Sequence, residues 1–232
     1  MKFLFAFIIL NISFVHAQEI NDPFEDINRA TFKFNESLDN NFLKPVAKVY
    51  SKAPSPVKKG VSNFFNNLEE VETTINQVFQ GKPGLAMNDF TRFIINTTIG
   101  LGGFFDVATQ MGLKKHEEDF SQTLAKWGVP SGPYIMLPAL GPSTVRDTLT
   151  KPLSSFVSVT FHMTETDENI ALRGIDALET RERLLEVESL VVGDKYNFVK
   201  DSYVQYMNYE VKDGLGVEDD FLDDMDDFLI EQ

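Results

Sequence analysis

The stretch Arg92-Phe93-Ile94-Ile95-Asn96-Thr97-Thr98-Ile99-Gly100-Leu101-Gly102-Gly103-Phe104-Phe105-Asp106 decides what kind of protein this is. From Phe93 to Phe105 it is uncharged and strongly apolar, and Arg92 and Asp106 bracket it. As a continuous helix it would reach about 20 Å, short of the roughly 30 Å of hydrocarbon in a bilayer, so it cannot span. Asn96, Gly100, Gly102 and Gly103 interrupt it further. Two readings follow: a buried core helix, or a segment that enters a membrane and turns back.

Downstream, Trp127 to Val145 also carries no charge, yet Pro130, Pro133, Pro138 and Pro142 with Gly128, Gly132 and Gly141 rule out a continuous helix. This is an apolar irregular loop. Inside a membrane such backbone is tolerated only where protein buries it or where it lines a wet cavity. In an ordinary domain it would be an Ω-type loop.

The flanking chain reads as short amphipathic helices. Asp22 as N-cap, Pro23 at the first helical position and Glu25 predict a helix start, followed by the stripe Phe24, Ile27, Thr31, Phe34 and Leu38. Ser55-Pro56 starts another, running through Val57, Val61, Phe64, Phe65 and Leu68 to Val78 and Phe79, and Pro83 starts the next. Val157, Val159, Phe161 and Met163 alternate as in a strand, whereas Leu153, Phe156, Val157, Thr160 and Phe161 fit a helix. Helix is preferred, because no second strand-like run is available for pairing. Further helices are predicted over 167–192 and 194–211.

Composition narrows the function. The 232 residues hold 21 Lys+Arg against 35 Asp+Glu, a net charge of −14, which argues against nucleic acid. With no cysteine there is no disulfide, thiolate nucleophile or Fe–S cluster. Met1 to Ala17 reads as a signal peptide, with Lys2, an apolar run and Val15-His16-Ala17 before Gln18. Its removal leaves His116 and His162, neither in a zinc-binding HExxH. Gly128-Val129-Pro130-Ser131-Gly132 places its serine one position off a nucleophile elbow, and no phosphate-cradling loop is present. Glu117-Glu118-Asp119 beside His116 reads as a solvated loop or cap. No enzyme, metal or cofactor is expected. The 21 Phe residues, the non-spanning run and the kinked loop suit a protein lying in one leaflet of a membrane. Residues 18–214 are expected to form one helical domain and 215–232 an acidic tail.

The blocks Asn21-Asp22-Pro23-Phe24-Glu25-Asp26-Ile27-Asn28-Arg29, Asn63-Phe64-Phe65-Asn66-Asn67-Leu68, Gly103-Phe104-Phe105-Asp106-Val107-Ala108, Trp127-Gly128-Val129, Gly132-Pro133-Tyr134 and Leu140-Gly141-Pro142-Ser143-Thr144, in this order, resemble the MlaA (VacJ) family of outer-membrane phospholipid-transport proteins. The resemblance covers about residues 21 to 214. It implies an all-α, ring-like single domain of short amphipathic helices with an apolar Pro/Gly-rich loop, seated in the periplasmic leaflet of the outer membrane. It implies a porin trimer and a soluble periplasmic lipid carrier as partners, and removal of misplaced phospholipids from the outer leaflet. Phe93, Ile94, Ile95, Ile99, Phe104 and Phe105 are then expected to touch the leaflet, and Trp127, Tyr134 and Leu137 to line a lumen. Arg92, Asp106, Arg146 and Asp147 are expected as structural or headgroup charges, and Phe34-Asn35 as a helix joint. Familiar members carry a cysteine after the leader; here Gln18 stands there, so no lipid anchor is expected. A periplasmic scaffold that moves no lipid is the alternative reading.

Overall fold

The computed structural model describes residues 22–159, 166–188 and 191–213. The expected signal peptide, the acidic tail and His162 lie outside the described residues. Helix α1 (Glu25–Leu38) passes through a π-helical turn (Asp39–Leu43) into α2 (Lys44–Tyr50), followed by α3 (Ser55–Phe79), α4 (Pro83–Thr98), α5 (Val107–Gln110) and α6 (Phe120–Lys126). A hairpin of β1 (Tyr134–Leu137) and β2 (Gly141–Thr144) precedes α7 (Val145–Val157), α8 (Thr166–Val187) and α9 (Lys195–Val211). The fold is all-α apart from this antiparallel hairpin, in which Tyr134 pairs with Thr144 and Leu137 with Gly141. Among the described residues no helix is long and apolar enough to cross a membrane.

Several starts follow the local signals. Ser55-Pro56 and Pro83 open α3 and α4 with proline in the first turn, where its missing N–H is harmless. Asp194 caps α9 by accepting from the Tyr196 N–H. Asp22 corrects the expectation: α1 begins at Glu25 without a side-chain cap. Asp22 instead accepts from Asn28 Nδ2 at 2.8 Å and from the Tyr196 hydroxyl at 2.5 Å, with Lys200 Nζ at 3.5 Å. The 157–163 ambiguity is half resolved, since α7 is helical through Val157, whereas Phe161 and Met163 lie outside the described residues.

The hairpin is the element the sequence did not announce. Two asparagines on α1, two helical turns apart, supply the hydrogen bonds that a third strand would have given. Asn28 Nδ2 donates to the Tyr134 carbonyl at 3.1 Å and its Oδ1 accepts from the Met136 N–H at 2.8 Å. Asn35 Nδ2 donates to the Leu137 carbonyl at 2.9 Å and its Oδ1 accepts from the Ala139 N–H at 2.7 Å. This corrects the placement of the helix joint. Phe34 and Asn35 lie in regular helix, and the irregular turn is Asp39–Leu43, where Arg181 of α8 grips Asp39 with bonds of 2.7 and 2.9 Å.

The distribution of polarity is reversed from that of a water-soluble domain. Buried apolar side chains among the described residues are Ala47, Ala86, Ala108, Phe120, Tyr134, Met136 and Tyr196, while nineteen buried side chains are polar or charged. Outside, α3, α4 and the following turn expose Val78, Phe79, Met87, Phe90, Ile94, Ile99, Leu101 and Phe105. Among the described elements α3 and α4 share the most extensive contact. Their connection to the turn is tight: a Cβ on Gly60 would fall 2.1 Å from the Phe104 ring, and one on Gly103, at φ +93, would fall 2.6 Å from the Asn67 side chain. Gly103→Ala therefore combines a left-handed backbone with a steric overlap. It should destabilise the protein by at least about 1 kcal/mol, lowering Tm by about 2–4 °C per kcal/mol in thermal melts. An unchanged Tm would contradict this packing.

Candidate functional site

Three helices and the hairpin tip line an open-sided cavity of about 430 Å³. Helix α3 contributes Phe65, Leu68, Glu69 and Glu72, and α8 contributes Leu172, Arg173 and Asp176. Helix α7 contributes Asp147, Thr150, Lys151, Ser154 and Ser155, with Ser158 just beyond its end. Steps of three and four residues place each set on one helical face. Leu140 at the hairpin tip and Asp119, the N-cap of α6, complete the wall. The lining is amphipathic, so it can accommodate a molecule that is charged at one end and apolar at the other.

The charges in this wall are unevenly satisfied. Asp147 closes the capping box of α7 with Thr144, and it accepts from the Ser121 and Tyr203 hydroxyls. Asp119 accepts from the Gln122 N–H at 2.7 Å. By contrast, among the described residues Glu69, Glu72 and Asp176 have no cation within 4.0 Å, and Lys151 and Arg173 have no carboxylate within that distance. Glu72 Oε1 is buried without a hydrogen-bond partner. Partial desolvation by the cavity wall raises the Glu69 carboxyl although the residue stays exposed; Lys115 opposes the shift and Asp176 adds to it. Burial raises Glu72 and Asp176 as well. Among the described residues no three His, Asp or Glu side chains converge as a metal cage.

Arg92 and Asp106 meet beneath the apolar turn. Arg92, 2 % exposed, donates from Nε to Glu70 at 2.7 Å and from Nη1 to Thr109 Oγ1 and the Leu113 carbonyl, and its Nη2 lies 3.4 Å from Asp106. Asn96 bridges Asp106 and the Ala108 N–H, and Asp106 caps α5. Beside them Asp89 takes a 2.6 Å bond from Gln77 and sits 2.9 Å from His116 Nδ1. Arg146 and Asp147 are a second buried pair, 3.9 Å apart, with Arg146 donating to Ser121 Oγ and the Val129 carbonyl at 3.0 Å.

The apolar candidates divide. Ile94, Ile99 and Phe105 are exposed, Ile99 to 64 %, whereas Phe93, Ile95 and Phe104 are half-buried. The run is helical to Thr98 and then reverses through Leu101, Gly102 and Gly103, all at positive φ, so it is not a buried core helix. Leu101, 71 % exposed at the tip, belongs with them and was missed. Trp127 is exposed, stacked edge-on to Phe79 and donating to its carbonyl at 3.2 Å. Tyr134 is fully buried against Tyr196 and Tyr203, and Leu137 is held by Asn35; neither these two nor Trp127 borders the cavity. Of the expected site residues only Asp147 borders it; the others that do were overlooked, although Thr150, Lys151, Ser154, Ser155 and Ser158, at helical spacing after Asp147, were a readable signal.

Comparison with known proteins matches residues 20–210 to the family model described as MlaA lipoprotein. The intermembrane phospholipid transport system lipoprotein MlaA of Escherichia coli K12 is 35% identical over 201 residues, covering 84% of this chain and 80% of that protein. The protein of the same name from Haemophilus influenzae is 32% identical over 222 residues, covering 90% and 88%. A solved structure, described as the structural basis for maintenance of bacterial outer membrane lipid asymmetry, superposes with a TM-score of 0.74 at 34% identity, covering 82% of this chain and 98% of that one.

Two measurements follow. Arg92→Met leaves Glu70 buried without its cation and should destabilise by about 3–5 kcal/mol, with Glu70→Met on top recovering part of the loss in a double-mutant melt. Partial desolvation makes the Glu69 carboxyl bind its proton more tightly folded than unfolded, an effect that its solvent exposure keeps small. That contribution is complete below the ordinary carboxylate range and lost as pH rises through the raised value. Melts between pH 4.5 and 8 should show a slightly smaller fall in Tm for Glu69→Gln than for the parent.

Proposed function

Since the chain belongs to the MlaA family, we propose that it serves intermembrane phospholipid transport. In this reading it removes misplaced phospholipids from the outer leaflet of the outer membrane and passes them to a soluble periplasmic carrier, maintaining lipid asymmetry. The observation that carries it is the distribution of polarity: large exposed apolar side chains on α3, α4 and the following turn, polar groups buried behind them, and an amphipathic cavity. Moving a headgroup through hydrocarbon requires stripping water from a phosphate, which is prohibitive for an isolated charge. A wet path lined by Ser154, Ser155, Lys151 and Arg173, beside Phe65, Leu68 and Leu172, supplies partners for both halves of the lipid.

The apolar shell sets the seat. Ile94, Ile99, Leu101 and Phe105, continued by Val78, Phe79, Met87 and Phe90, sink into the periplasmic leaflet, forming a ring in one half of the bilayer. Phe93, Ile95 and Phe104 fill in beneath this surface. The relatives are named lipoproteins, but the 232 residues hold no cysteine to carry a lipid. Attachment then rests on the apolar surface and on a porin trimer beside it. Residues 1–17 export the chain, and 18–214 form the transport domain. Trp127 sits at the interface level, its ring against Phe79 and its N–H bonded, the arrangement aromatic belts favour. Arg92 with Asp106 and Arg146 with Asp147 hold the frame rather than meet the headgroup, since both guanidinium groups donate within the protein and both carboxylates cap helices.

Ile99→Asp with Leu101→Asp tests the reading. These substitutions place charge on an exposed tip without disturbing a buried group, so folding should survive. Phospholipid on the cell surface should rise toward the level of a gene deletion, and the protein should move from the membrane to the soluble fraction. Unchanged outer-leaflet composition, in this variant or in the deletion strain, would contradict the proposal.

A further inference from the structure

We infer that the cavity wall selects phospholipids whose headgroup carries a cation as well as the phosphate, the phosphatidylethanolamine class, over headgroups whose only charge is negative, the phosphatidylglycerol class. This rests on the transport reading above and adds the chemistry of the cargo.

The cavity wall carries five charged side chains with no oppositely charged group within 4.0 Å among the described residues: Glu69, Lys151 and Arg173 are solvent-exposed, Glu72 and Asp176 are half-buried, and Arg173 acts on Asp176 from one helical turn away. Neighbouring cations are engaged elsewhere. Lys115, which faces Glu69, lies 2.7 Å from Glu117 and donates to Asn66, and Arg183, which faces Asp176, lies 3.2 Å from Glu179. Glu72 keeps Oε1 buried and unbonded while Ser154 holds its carboxylate. Burial raises Glu72 and Asp176, as it raises carboxyls in low-dielectric surroundings generally. The other two wall carboxylates, Asp119 and Asp147, are consumed by helix caps and hydroxyl bonds.

A headgroup with phosphate and ammonium a few bonds apart meets this wall on both signs. Its phosphate finds Lys151 and Arg173, and its ammonium finds the wall carboxylates, with Ser155 of α7 hydrogen bonding between them. A purely anionic headgroup gains the two cations but leaves three carboxylates unpaired and adds a like charge beside them. Like-charge juxtaposition of this kind is how a site rejects a wrong ligand.

The test uses the full chain reconstituted into vesicles of equal phosphatidylethanolamine and phosphatidylglycerol with identical acyl chains, repurified in mild detergent, its retained lipid quantified by mass spectrometry. The expected result is a several-fold enrichment of phosphatidylethanolamine over the input ratio. Glu69→Gln with Asp176→Asn should move the ratio toward the input. Ser155→Lys, which adds a cation to the same wall and touches no carboxylate, should raise the phosphatidylglycerol share and keeps the test open if the double variant fails to fold. Retained lipid at the input ratio, or an enrichment that none of these variants alters, overturns the selectivity while leaving transport standing. Retention of neither lipid overturns the transport reading itself.

Discussion

Polar side chains that satisfy one another out of water hold α3 against α4, and the rest of the molecule depends on that pairing. Arg92 is its hub, reaching Glu70 on α3 and Thr109, Leu113 and Asp106 in the segment beyond the turn. Gln77, Asp89 and His116 extend the network along the same seam. Where lipid surrounds a protein there is no hydrophobic gain from placing leucine inside, and helices associate through close approach and polar contacts instead. Gly60 and Gly103 provide the close approach and Arg92 and Asn67 the contacts. Once the seam is polar, the apolar faces of both helices are free to point outward.

That inversion explains the cavity. Helix α8 is tied to the π-helical turn through Arg181 and Asp39, and to α2 through Lys44 and Glu188, the residue just past α8 that Arg181 also holds. Lys44 and Arg181 hold the Glu188 carboxyl down to about 2, so the cluster stays charged throughout the physiological range. These contacts fix α8 by its C-terminal half, while its N-terminal part, with Leu172, Arg173 and Asp176, faces α3 and α7 across open space. The hairpin, pinned to α1 by Asn28 and Asn35, carries Leu140 to the rim. A rigid frame thus surrounds a space that is lined on both sides by charged and apolar groups.

Much of this was legible one residue at a time. Proline and serine punctuation located α3 and α4, and Asp194 located α9, because caps act within one helical turn. The Gly-interrupted run read as non-spanning, and its glycines make the turn. What sequence could not convey is partnership across distance. Each hairpin strand has four residues, and Pro138 and Pro142 read as breakers; a two-stranded hairpin has only edges, where proline is tolerated, and its outer bonds come from asparagines over a hundred residues away. Asp22 had the form of a cap, but Tyr196 and Lys200 on the last helix claim it. The cavity carboxylates are spread over α3 and α8, and nothing local announces that these faces meet. The hydroxyl stripe on α7 was the one hint.

The absence of cysteine makes the central claim, apolar faces in lipid around a wet interior, directly testable, because any introduced thiol is unique. Single cysteines at Ile99 and at Ser155 would be exposed, in native membranes, to a membrane-impermeant maleimide given access to the periplasmic face. The account predicts that the thiol at 155 is labelled in the intact membrane and that the thiol at 99 is labelled only after the membrane is dissolved and the chain denatured. Rapid labelling at 99 with no reaction at 155 would contradict it.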